Sequence, residues 1–131
     1  MQRVLIFIFM LGVSTNVLAV KNFKCSVQDA KKVSENGLLV SNNVTKIYIG
    51  REFVVDRESG KMIGEVTNHN SGFIPKVFDY LPSENGYKVV TTYSPHPSID
   101  YLHIVEYVES LEKPFFYTTG STIMSGKCVY F

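Results

Sequence analysis

Arg51-Glu-Phe-Val-Val-Asp-Arg-Glu-Ser-Gly-Lys-Met-Ile-Gly-Glu-Val66 decides the fold class. Phe53 and Val55 alternate with Val54 and Asp56, and Met62 and Gly64 alternate with Ile63 and Glu65. Two period-two runs flanking a polar turn predict an antiparallel hairpin. Gly60 follows the polar residues, where a short hairpin loop takes up a left-handed conformation. The charged tip (Asp56, Arg57, Glu58 and Lys61) reads as a solvated turn. Asp56, Glu58 and Gly60 resemble a calcium loop, but the glycine falls one position too early for that geometry.

Strand patterns continue in both directions. Upstream, residues 23–28, 38–40 and 45–49 are strand-like, while residues 29–35 suit either one helical turn or irregular chain. Downstream come residues 76–81, 87–93, 101–108, 115–118, 122–124 and 127–131. Residues 67–72 read as a polar surface loop. Pro95 and Pro97 exclude a central strand over residues 94–100. Short strands separated by frequent turns, rich in Val, Ile, Thr, Tyr and Phe, predict an all-β single domain. The expected architecture is an antiparallel meander forming a small closed or nearly closed β-barrel of about eight strands. A β-sandwich is the alternative.

The first residues read as a leader. Met1-Gln-Arg3 supplies a positive start, residues 4–13 are apolar, and Val17-Leu-Ala19 satisfies the small-x-small cleavage rule. Residues 1–19 are therefore an expected cleaved signal peptide and residues 20–131 the mature domain, periplasmic or secreted. Without Arg3 the chain has 12 basic against 12 acidic side chains. That balance gives no long-range attraction to nucleic acid or to an anionic membrane. No stable membrane insertion is expected after cleavage. Cys25 and Cys128 are the two cysteines, and in an oxidising compartment the expectation is one disulfide bringing the first and last strands together. Asn43-Val-Thr45 is a formal glycosylation acceptor, relevant only to a eukaryotic source.

No phosphate loop, zinc-protease motif or nucleophile elbow occurs, and no cofactor is implied. His96, Asp100 and His103 lie close in sequence, but their spacing fixes no metal geometry, so no metal site is expected. Glu106 shares strand parity with Leu102 and Ile104. It reads as a buried carboxylate needing Arg51 or a lysine as partner, and such a group can act as general acid or base. Tyr87, Tyr93, Tyr101, His103 and Tyr107 fall on two neighbouring strands and form a candidate Tyr-rich binding surface.

Phe23-Lys-Cys25, Phe53 to Gly60, Tyr101-Leu-His-Ile-Val-Glu106, Lys113-Pro-Phe115 and Ser125-Gly-Lys-Cys128 together resemble a group of small exported bacterial proteins with no assigned activity. More loosely, the chain is similar to the periplasmic inhibitors of C-type lysozyme, antiparallel barrels with a cysteine near each end. Their Ser-Gly-x-x-Tyr loop is echoed only by Ser125-Gly-Lys-Cys-Val129, which lacks the tyrosine. The expected function is a non-enzymatic binding or inhibitor-like protein whose partner is a protein or an envelope component. A small-ligand carrier with a barrel cavity and a hydrolase-type enzyme using Glu106 are the alternatives.

Overall fold

A computed structural model describes residues 21–79, 86–94 and 97–131. The expected leader and its cleavage site lie outside the described residues, as does His96. Among the described residues nine strands form one antiparallel sheet: β1 (Phe23–Val33), β2 (Leu39–Val40), β3 (Glu52–Val55), β4 (Met62–Gly64), β5 (Phe73–Asp79), β6 (Tyr87–Tyr93), β7 (Ser98–Ile104), β8 (Lys113–Thr119) and β9 (Thr122–Tyr130). A single helical turn, α1 (Asn43–Lys46), separates β2 from β3. The spatial order is β4-β3-β1-β9-β8-β7-β6-β5, with β2 added to the far end of β1. The sheet curls through 256° into a half-barrel, so the all-β, nearly closed architecture holds.

The expected hairpin is β3–β4, with Phe53 opposite Gly64 and Val55 opposite Met62. Gly60 has φ +75, and its amide donates to the Asp56 carbonyl at 2.8 Å. The first and last long strands lie side by side. Cys25 and Cys128 are directly opposite in β1 and β9, bonded to each other and buried in the core. Disulfides persist in oxidising compartments, and this one fits a location outside the cytoplasm. No described helix is long and apolar enough to cross a membrane.

Some expected elements shift. Residues 45–49 do not form a strand. The Asn42 side chain accepts from the Val44 and Thr45 amides, and Thr45 Oγ1 accepts from the Asn42 amide. This reciprocal cap starts a helical turn that outweighs the β-branched run. β7 begins at Ser98 and ends at Ile104, because the Glu106 amide turns back onto the Ile104 carbonyl at 2.9 Å. Pro75 lies inside β5 rather than at its border, which an edge strand tolerates.

The interior is built from inward rows of side chains on the strands other than β2. Phe23, Cys25 and Val27 of β1, Phe53 and Val55 of β3, Tyr87 and Val89 of β6, and Leu102 and Ile104 of β7 all face inward, with Met62, Phe115, Tyr117 and Met124. Among the described strands the sheet is open between β4 and β5, which are consecutive in the chain yet unpaired. Residues 67–72 are not merely a polar surface loop. Asn68 is fully buried in this seam: its Oδ1 accepts from the Met62 amide at 2.7 Å, and its Nδ2 donates to the Gly60 carbonyl and to Thr91 Oγ1. One side chain thus satisfies backbone groups that a tenth strand would otherwise pair.

Candidate functional site

Three inward rows end in charge at one mouth of the half-barrel. Arg57 continues the parity of Phe53 and Val55, Glu106 that of Leu102 and Ile104, and Asp79 that of Val77. Arg57 is therefore not at a solvated tip; it is buried. Glu106 is buried as well, and its partner is Arg57 rather than Arg51 or a lysine. Arg57 Nη1 and Nη2 donate to Glu106 Oε1 and Oε2 at 2.5 and 2.9 Å. Its Nε and Nη2 donate to Asp79 Oδ2 and Oδ1 at 2.9 and 3.3 Å. The remaining Nη1 proton points toward the Lys21 carbonyl at 3.5 Å. One guanidinium thus holds two carboxylates in forked geometry, the arrangement its planar donors favour.

The aromatic surroundings complete the cluster. The guanidinium lies 5.0 Å from the Phe23 ring centroid and 5.5 Å from that of Tyr87, within cation–π range. Tyr87 Oη donates to the Arg57 carbonyl at 2.9 Å, and Tyr130 Oη donates to Glu106 Oε1 at 3.4 Å. Burial alone would lower the Arg57 pKa, but the hydrogen bonds to Asp79 and Glu106, with their charges, hold it above its ordinary value. Burial, reinforced by Asp79, raises the Tyr87 phenol well above its usual range.

Outside the cluster opens a concavity of about 380 Å³ lined by Asn22, Asp56, Arg57, Glu58 and Asp79. All five lining residues are polar or charged. Hydrogen bonds from the Ser59 hydroxyl and amide, with Lys61 nearby, lower the Asp56 pKa. Both Glu106 oxygens accept hydrogen bonds from the Arg57 guanidinium. The cluster ties the ends of three inward rows together at this mouth.

The five residues of the expected Tyr-rich surface do not share a face. Tyr87 is fully buried in the core, and Tyr93, of the same parity, stacks on Phe73 at 4.6 Å. Tyr107 lies beyond β7 and is exposed. Their strands do pair, but the register sets Tyr87 opposite Ile104, so the tyrosines of β6 point inward while Tyr101 and His103 point outward. What the outer face does assemble is a trio that includes a residue outside the expected set. Phe116 of β8 lies directly opposite His103, with ring centroids 5.3 Å from His103 and 5.6 Å from Tyr101. Tyr101 Oη and His103 Nδ1 are 3.2 Å apart. Burial and the cross-strand Lys88 lower the His103 pKa. The parity of Phe116 with Pro114 and Thr118 was the signal that could have placed it.

Asp100 points inward, accepting from Tyr117 Oη at 2.9 Å, whereas His103 points outward, so one metal ion cannot take both. Among the described residues no group of three or more His, Cys, Asp or Glu side chains is arranged to hold a metal. No family, curated protein or solved structure was found to match the chain.

Proposed function

We propose that the protein is an exported, non-enzymatic binding protein of the cell envelope, periplasmic or secreted, which recognises a protein or envelope component through the outer face of β7 and β8. The observation that carries this reading is the Tyr101–His103–Phe116 trio, three packed rings on the outside of a disulfide-tied sheet. Rigid aromatic side chains supply contact area at little entropic cost, and the Tyr101 phenol adds a polar tip, a combination enriched at recognition surfaces. The leader-like start of the chain and the disulfide support the location. The loose likeness to lysozyme inhibitors makes an inhibitory role one form this binding would take. The test uses the purified protein as bait on an envelope preparation from the source cells, beside a Tyr101→Ala/Phe116→Ala variant of unchanged melting temperature. A component retained by the native protein and lost by the variant supports the reading. Equal retention by both removes the trio from it.

A further inference from the structure

At the end of β1 far from Arg57, a second surface has a different character. Val33, Leu38, Leu39, Val44, Ile47 and Ile49 are each between 47% and 65% exposed. They are six of the fourteen large apolar side chains exposed among the described residues, and they fall within seventeen consecutive positions. The fold groups them. Val33 and Leu39 are directly opposite on the β1–β2 ribbon, and α1 packs against β1. Val44 and Ile47 are three apart on the helical turn and lie on one side of it, away from Thr45 and Tyr48, which turn toward the interior.

Charge accompanies this patch. Residues 29–51 carry four basic side chains (Lys31, Lys32, Lys46 and Arg51) and two acidic ones (Asp29 and Glu35), whereas residues 52–131 carry six basic against ten acidic. Asp29 is spent on Lys31, 3.6 Å away. Residues 29–51 therefore carry a net charge of +2 alongside these exposed aliphatic side chains, and Lys21 and Lys24, toward the Arg57 end of β1, carry the other +2. Aromatic and arginine anchors dominate protein interfaces; here the projecting side chains are aliphatic, on a hairpin and a helical turn. Aliphatic projections flanked by lysines are what an interfacial contact with an anionic bilayer needs: apolar groups below the headgroups and ammonium groups against the phosphates.

We propose that this end of the half-barrel docks reversibly on an anionic phospholipid surface, with Leu38, Leu39, Val44 and Ile47 inserted at the headgroup boundary and Lys32 and Lys46 against lipid phosphates. The proposal stands independently of the aromatic trio. Its test is flotation of the purified protein with vesicles of phosphatidylcholine alone and of equal parts phosphatidylcholine and phosphatidylglycerol. Binding to the anionic vesicles is expected, weakening with salt. Lys32→Gln and Lys46→Gln should each weaken it about five-fold, and a Leu38→Ser/Leu39→Ser/Ile47→Ser variant of unchanged melting temperature should lose it. Absence of binding, or equal binding to both vesicle types, overturns the proposal. Undiminished binding of the triple serine variant assigns the contact to another segment and also overturns it. Concentration-dependent dimerisation abolished by the same variant, without vesicle binding, replaces the lipid with a second copy of the chain.

Discussion

Arg57 is the residue on which the mouth of the half-barrel depends. Its removal alone would leave Glu106 charged, buried and paired only with Tyr130, so Arg57→Met should lower stability by about 3–5 kcal/mol in denaturant unfolding. Adding Glu106→Leu should restore stability to within about 2 kcal/mol of the native protein, because a buried ion pair gives little net stability over apolar packing. Asp79 can then turn to solvent from its partly exposed position. A double variant as damaged as the single one would show that the pair is more than a matched set of charges. His103 supplies a second residue-scale effect. Its pKa is lower in the folded protein, first through burial and then through Lys88, so the unfolded chain takes up a proton that the folded chain resists. The stability contribution is full above the ordinary histidine value of about 6.5 and falls as pH drops below it. Melting temperatures measured from pH 7.5 down to 5.5 should decline in the native protein and decline less in His103→Gln.

At the scale of elements, the β4–β5 seam depends on Asn68 more than on any strand pair. Asn68→Ala strips partners from the Met62 amide and the Gly60 carbonyl, both held at hydrogen-bond distance in the interior. A loss of about 3–4 kcal/mol is expected by chemical denaturation. Asn68→Asp keeps the shape and the acceptor but cannot donate to Gly60, so it should cost nearly as much; near-native stability would mean the donated bond is dispensable. The same elements explain what was legible in the sequence. The 53–66 hairpin, the strand-rich pattern and the pairing of Cys25 with Cys128 follow from local alternation and redox chemistry. Arg57 did not, although the Phe53, Val55, Arg57 parity pointed inward, because a charged residue after a strand reads as solvated until its counter-charge is known. That counter-charge is 49 positions away, at the end of another inward row. α1 was hidden because its cap rests on the Asn42 and Thr45 side chains, while residues 45–49 have the composition of a strand. Asn68 gave no pattern at all, since a buried plug in a loop has no period.

For the whole molecule, the disulfide limits the unfolded chain more than it shapes the folded one. It joins residues 103 apart that already face each other in the longest strand pair. The chain-entropy argument gives up to ~4.7 kcal/mol for a loop of that size. Cys25→Ala/Cys128→Ala should therefore keep the native circular-dichroism spectrum while losing about 2–5 kcal/mol of unfolding free energy. A collapse of the spectrum would mean that the staple is needed to form the sheet at all. The two surfaces proposed for binding lie on separate parts of this frame, the aromatic trio on the outer wall and the aliphatic patch at one end, so each can be altered without reaching the core.

The break in the sheet and the break in the chain fall in different places. Spatially, the strands run as a ring interrupted between β4 and β5; covalently, the ring is interrupted between β9 and β1, where the Phe131 amide already donates to the Asn22 carbonyl at 2.9 Å. The architecture is thus a circular permutation waiting to be made. A peptide link from residue 131 to residue 22, with new ends opened in the 65–72 loop, would move both interruptions to the same seam and leave Asn68, Arg57 and Asp79 to hold it without help from the backbone.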